Sequence, residues 1–139
     1  MDSAQNPYQA PKSEVTDISQ GEGEKLTNKQ IWFSFEGRIP RKVFWLYGLL
    51  LLVPLYLLVT VAFFVSPKLG IVLAIPIYVL AVWVGFAMSI KRWHDRDKSG
   101  WWMLIGMIPV INIWALIETG FLRGTAGGNR FGGDATGMY

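Results

Sequence analysis

From Val43 to Ile90 the chain carries a single charge, Lys68. The other 47 residues of that stretch form two consecutive uncharged blocks. At 139 residues the chain makes one domain at most. A soluble domain of this size has too much surface to hide both blocks. They are read instead as membrane spans. The first, "VFWLYGLLLLVPLYLLVTVAFFV", covers Val43 to Val65. As a helix it is about 35 Å long at ~1.5 Å per residue, enough for a hydrocarbon core of about 30 Å. "SPK" at 66–68 reads as a tight turn, and the second span runs from Leu69 to Ile90. So short a connection forces an antiparallel pair. Ala81, Gly85 and Ser89 recur every four residues on one face of span two, a spacing that lets another helix come close.

A third apolar segment, "WWMLIGMIPVINIWALIETGFL", runs from Trp101 to Leu122. It is long enough to cross, but Gly106, Pro109 and Asn112 interrupt its middle and Glu118 lies near its end. Proline removes a backbone donor and kinks a helix, and Pro54 and Pro76 interrupt the other two spans. A third crossing is expected. The alternative is two half-helices that enter and return, which needs protein or water cover for the irregular backbone. The predicted fold is therefore an all-α integral membrane protein with an antiparallel span pair and a third, Pro-interrupted span.

The flanks differ in composition. Residues 1–30 are polar and rich in Pro, Ser, Gln, Glu and Gly, too poor in apolar side chains to offset the entropy of ordering. They read as a disordered cytoplasmic tail, and no signal peptide is expected in them. Residues 31–45, "IWFSFEGRIPRKVFW", mix aromatic and basic side chains, the pattern of an interfacial segment. The membrane domain is placed at 31–134, with a short C-terminal tail over 135–139. With three crossings, seven Lys and Arg lie on the side of the N-terminus and of the loop after span two, against three on the other. The positive-inside rule then puts the N-terminus and that loop in the cytoplasm and the C-terminus outside.

The loop "KRWHDRDKSGWW", Lys91 to Trp102, holds the chain's only histidine. His94 and Asp95 suggest a general base with a carboxylate, but neighbours on a helix do not face each other. Ser99 is better placed as the N-cap of the third helix than as a nucleophile. The chain has no cysteine, and His94, Asp95 and Asp97 lack the second nitrogen or sulfur ligand typical of zinc. No catalytic, cofactor or metal site is assigned, and the protein is not expected to be an enzyme. An interfacial reading asks less. Lys91 and Arg92 end span two, and Trp93, Trp101 and Trp102 sit at headgroup level. Arg38, Arg41, Lys42, Lys91 and Arg92 form a cationic rim for anionic lipid, at about 1 kcal/mol per basic residue. The net charge of +3 is too small to indicate nucleic acid. Asn112 and Glu118 are the intramembrane polar candidates; an acid within a span is a functional hypothesis by default.

"SFEGRIPRKVFW" (34–45), "RWHDRDKSGWW" (92–102) with "IP" (108–109), and "GTAGGNRFGGD" (124–134) occur in that order. Together they resemble the DUF805 family of small bacterial inner-membrane proteins. The motif positions correspond to Gly37, Arg38, Arg41, Phe44 and Trp45; to Arg92, His94, Asp95, Ser99, Gly100 and Trp101; and to Asn129, Arg130, Gly132 and Asp134. Phe131 stands where Tyr is usual and Gly133 where Pro is frequent, which is expected to loosen the C-terminal turn. The resemblance implies a multi-pass protein of the bacterial cytoplasmic membrane with no established activity. The functional expectation is a non-enzymatic accessory or scaffold. Its cytoplasmic loop would bind a membrane-protein partner, a second copy or anionic lipid through Arg38, Arg41, Arg92, His94, Asp95, Ser99, Asn129 and Arg130. The alternative is a small oligomeric transporter or channel using Asn112 and Glu118.

Overall fold

The computed structural model describes residues 24–137 and 139. Among them the secondary structure is helical, apart from one isolated antiparallel bridge between Asn129 and Gly132. The tail expected over 1–30 lies outside the described residues as far as 23. Its last residues are ordered, which corrects the boundary: Thr27 caps helix α1, Asn28–Phe33. The Thr27 hydroxyl accepts from the Gln30 amide, and the Gln30 side chain accepts from the Thr27 amide at 2.8 Å. This reciprocal pair satisfies two amides the first turn leaves open.

Helix α2, Arg41–Val65, and helix α3, Pro67–Asp95, are the two candidate membrane-spanning helices. Ser66 is the only residue between them, and Pro67 opens α3, where its missing amide costs nothing. Gly70 lets the pair close at this turn, because a Cβ there would lie 2.4 Å from the Phe63 ring. Both helices run unbroken through Pro54 and Pro76. Of the most apolar window only 6% is buried in α2 and 17% in α3, so these faces need an apolar surrounding that the protein itself does not supply. The core is small and sits at one end of the pair, where Ile31, Ile39, Val43, Val84 and Met88 pack together.

Two differences from the sequence reading matter for function. Helix α3 extends five residues past Ile90 and includes Lys91, Arg92, Trp93, His94 and Asp95. Lys91 and Arg92 therefore do not end the helix; both are fully buried in it, and Trp93 is buried too rather than at headgroup level.

The third segment is not one continuous helix. It divides into α4, Trp102–Ile105, and α5, Pro109–Leu116, followed by a π-helical turn, Ile117–Phe121. Ile108 is extended (φ −76°, ψ 123°), the conformation favoured for a residue that precedes proline. The Asn112 side chain donates to the Gly106 carbonyl at 2.8 Å and holds the break. The limbs close tightly there, since a Cβ on Gly106 would lie 3.2 Å from that of Ala115. Both ends of the segment return to one place. Lys98, before α4, and Arg96 each bond Glu118, after α5, at 2.7 and 2.8 Å. The expected third span is thus not a single continuous helix: the segment folds as a helical hairpin on the end of the α2–α3 pair opposite Ser66. Residues 124–137 pack at that same end, and the expected C-terminal tail is not separate from it. Ala135 is buried, and Leu26 donates to the Tyr139 hydroxyl at 3.0 Å.

Candidate functional site

The three sequence motifs meet in one buried ionic cluster. Asp95, on the last turn of α3, is its centre. One carboxylate oxygen accepts from Arg38 Nε at 3.2 Å and Nη2 at 3.1 Å. The other accepts from Arg92, one turn back on the same helix. All three side chains are at most 2% exposed. Burying three charges is costly unless each finds partners, and here the rest of the site supplies them.

Arg38 lies just after Gly37, whose φ of 90° turns the chain between α1 and α2. Its Nη1 donates to the carbonyls of Gly127 (2.8 Å), Gly133 (3.0 Å) and Gly132 (3.2 Å). Its Nη2 also reaches the Thr125 carbonyl (2.8 Å) and hydroxyl (3.0 Å). Arg92 donates to the carbonyls of Thr119, within the π-helical turn, and of Leu122, just past its end. Lys91 points the other way and donates to the carbonyls of Ile31 (3.0 Å) and Ser34, which close α1. The basic residues of α3 thus serve as clamps on backbone oxygens. Each satisfies a helix end or turn that would otherwise be bare.

His94 stacks on Phe131, with centroids 3.9 Å apart and planes 4° from parallel. Its Nδ1 lies 3.3 Å from the Gly37 carbonyl. Asn129 donates to the His94 carbonyl at 2.8 Å and to the Thr125 hydroxyl at 3.0 Å. Arg130 pairs with Asp97 at 3.3 Å on the surface. The C-terminal turn is therefore closed despite Phe131 and Gly133; Phe131 is the ring that covers the imidazole, and the Gly133 carbonyl is an Arg38 acceptor. Ser99 does not act as expected. Trp101 is the N-cap of α4, without a side-chain cap, and Ser99 contributes its carbonyl to the Trp102 amide at 3.1 Å.

Arg41 donates to the Phe121 carbonyl at 3.1 Å and Trp45 Nε1 to that of Gly120 at 2.9 Å, both from α2. Lys98 lies between 5.0 and 5.4 Å from the rings of Trp93, Trp102 and Trp114 while it pairs with Glu118. The sequence offered no sign of this cage, because its members are spread over 22 positions. Glu118 and Asn112 are not brought together: one is bound to Arg96 and Lys98, the other closes the hairpin at Gly106. Among the described residues no three His, Asp or Glu side chains converge as metal ligands.

Asp134 ties the C-terminal loop. It accepts from the Thr136 amide at 2.7 Å and the Gly127 amide at 3.0 Å. These donors, Thr136 first, lower its pKa from 3.8 to about 2. A depressed folded pKa gives stability that is complete above pH ~4 and fades as pH falls toward 2. Amide exchange at Gly127 and Thr136 is expected to quicken over that window, and Asp134→Asn should show the faster exchange already at pH 7. The effect is local and small, because the carboxylate is partly exposed. An exchange rate flat between pH 4 and 2, after correction for intrinsic chemistry, would sink this assignment.

The match to known proteins covers the ionic cluster and its carbonyl acceptors from residue 32 to residue 133. The sequence model of one family, described as "Protein of unknown function (DUF805)", matches residues 32–133. The chain is 30% identical to "Inner membrane protein YhaI" of Escherichia coli (strain K12), over 74% of this chain and 86% of that protein. It is 31% identical to "Inner membrane protein YhaH" of the same strain, over 74% and 88%. To "Uncharacterized protein YiiR" it is 32% identical, over 78% and 90%. No solved structure matches.

Proposed function

The chain belongs to the DUF805 family, and from that premise we propose that it is a non-enzymatic accessory protein of the bacterial cytoplasmic membrane. In this reading α2 and α3 cross the bilayer, the α4–α5 hairpin re-enters from the cytoplasmic side, and the ionic cluster locks a rigid platform there for a protein partner. The observation that carries it is the saturation of the cluster. Arg38, Arg92 and Asp95 are bound to one another and to backbone carbonyls, and half-buried His94 packs one face of its ring on Phe131. Such groups serve to hold a shape. Asp95, buried and held by both arginines, lacks the open path to a proton that a catalytic base needs.

The hairpin length supports re-entry. Its descending limb, α4, has 4 residues and its returning limb, α5 with the π-helical turn, has 8 and 5. At ~1.5 Å per residue the longer limb reaches about 20 Å, short of the ~30 Å core. With both flanks on one side, nine Lys and Arg between Arg38 and Arg130 stand against Lys68 alone, which favours a cytoplasmic platform. A reporter fused after Tyr139 is expected to be cytoplasmic; a periplasmic signal would restore the third crossing.

Partner capture is tested by proximity cross-linking in native membranes, with wild type compared to Arg130→Glu. Arg130 is exposed, its side chain at 61%, so the variant changes the platform's surface and leaves the cluster intact. At least one neighbour is expected to fall fivefold or more at an unchanged protein level. The same neighbours at the same yield would remove the platform as a partner-selecting surface.

A further inference from the structure

The cations at the platform end have unequal fates. Arg38, Arg92, Arg96, Lys98 and Arg130 are each paired with an acid, and Lys91 is buried on carbonyls. Arg41, Lys42 and Arg123 form no ion pair among the described residues. All three are exposed, and all three line one cleft of about 240 Å³ with Pro40, Gly124 and Thr136. The one acid at its floor, Asp95, is buried and already held by Arg38 and Arg92. The cleft, which Tyr139 also lines, therefore presents three cations and no unpaired acidic side chain among the described residues.

An apolar groove of about 200 Å³ lies between α2 and α3, lined by Trp45, Gly48, Leu52, Ala81 and Gly85 and closed by Leu116. Arg41, Trp45, Gly48 and Leu52 follow at intervals of four, three and four, so they share one face of α2. The cleft thus stands one turn beyond the groove, on the same face. Trp45 forms the join, its indole fixed to the Gly120 carbonyl. The groove is open because two glycines leave it so; a Cβ at Gly85 would meet nothing within 4 Å. No helix among the described residues fills it.

We propose that this cleft and the neighbouring groove together bind one anionic phospholipid, its phosphate on Arg41, Lys42 and Arg123 and part of an acyl chain passing Trp45 to lie between α2 and α3. The charge above and the apolar lining below match the two halves of such a lipid. A neighbouring transmembrane helix would match only the groove and would leave the three cations unanswered. The inference goes beyond the platform reading and does not depend on it, since the platform's partner contacts lie at Arg130.

The test uses the purified full-length protein in a neutral detergent. Phosphatidylglycerol, phosphatidylcholine with the same chains, and inorganic phosphate are compared by native mass spectrometry. One phosphatidylglycerol is expected to remain bound, tenfold or more tightly than phosphatidylcholine, and inorganic phosphate at equal concentration should not displace it. Arg41→Gln with Arg123→Gln should weaken retention about 30-fold, roughly fivefold for each charge. Gly85→Leu should weaken it by filling the groove. Both arginines are exposed, so the double variant decides the matter even if Gly85→Leu folds poorly. Equal retention of the two lipids, displacement by phosphate, or undiminished binding by the double variant would overturn the proposal. A protein dimer that excludes lipid and is lost on Gly85→Leu would assign the groove to a second copy instead.

Discussion

Asp95→Asn is expected to destabilise the protein by about 3–5 kcal/mol, the cost of removing one partner from a buried ion pair. The substitution is nearly isosteric, so the loss is electrostatic. It leaves Arg38 and Arg92 buried side by side with no counter-charge. Against a total stability of about 5–15 kcal/mol this is a large share. The loss is directional as well. Arg38 holds Thr125, Gly127, Gly132 and Gly133, so residues 124–134 should detach before α2 and α3 separate. Thermal unfolding followed by tryptophan fluorescence, together with limited proteolysis of that segment, would show both effects. A variant within 1 kcal/mol of wild type and equally resistant to protease would mean that the cluster is not what holds the platform.

Gly124→Ala should cost about 1–3 kcal/mol by overpacking, and it acts on the same carboxylate from the other side. A Cβ at Gly124 would stand 2.0 Å from Asp95 Oδ2, a separation no packing tolerates. Either the carboxylate leaves Arg92 or the backbone at 124 moves away from α3. The two substitutions should therefore be non-additive: in the Asp95→Asn background the further loss from Gly124→Ala is expected to shrink, because the contacts it disturbs are already weakened. Unfolding midpoints of the four proteins in one detergent give the coupling. Strict additivity would show that Gly124 serves the turn and not the cluster.

Much of the architecture was legible in the residues, and the exceptions share a cause. The uncharged blocks give α2 and α3 because composition and length suffice to define a span. The three mid-segment prolines look alike in sequence, yet α2 and α3 continue through Pro54 and Pro76 while the chain breaks at Pro109. What distinguishes Pro109 is its company. Asn112 takes the Gly106 carbonyl, and Gly106 lets Ala115 fold back, so the break is satisfied within the segment. A similar limit applies to the basic residues. In sequence Lys91 and Arg92 resemble ordinary interfacial stops, and only the distant carbonyls of residues 31–34 and 119–122 explain their burial. His94 and Asp95, adjacent in sequence, divide two jobs: one packs against Phe131 and the other carries the ion pairs. The motif positions converge in the structure, but their adjacency in sequence gave no sign that these two side chains part in different directions.

The backbone acceptors of Arg38 lie 87 to 95 positions later in the chain. During synthesis, then, this arginine is made long before the oxygens that permit its burial. The α2–α3 hairpin can enter the bilayer as soon as it is translated, with Arg38 and Arg92 still hydrated at the membrane edge. Closure must wait for residues 119–133 to leave the ribosome, a late, non-local step with a high entropic cost. With α2 and α3 crossing the bilayer as proposed, the paired spans are expected to stand inserted but unsealed until then. Ribosomes stalled before residue 119 should hold a hairpin that resists extraction from the membrane but in which Arg38 is still open to solvent. Quality control has a simple mark to read in such a chain: arginines at the membrane surface that a finished molecule would have withdrawn.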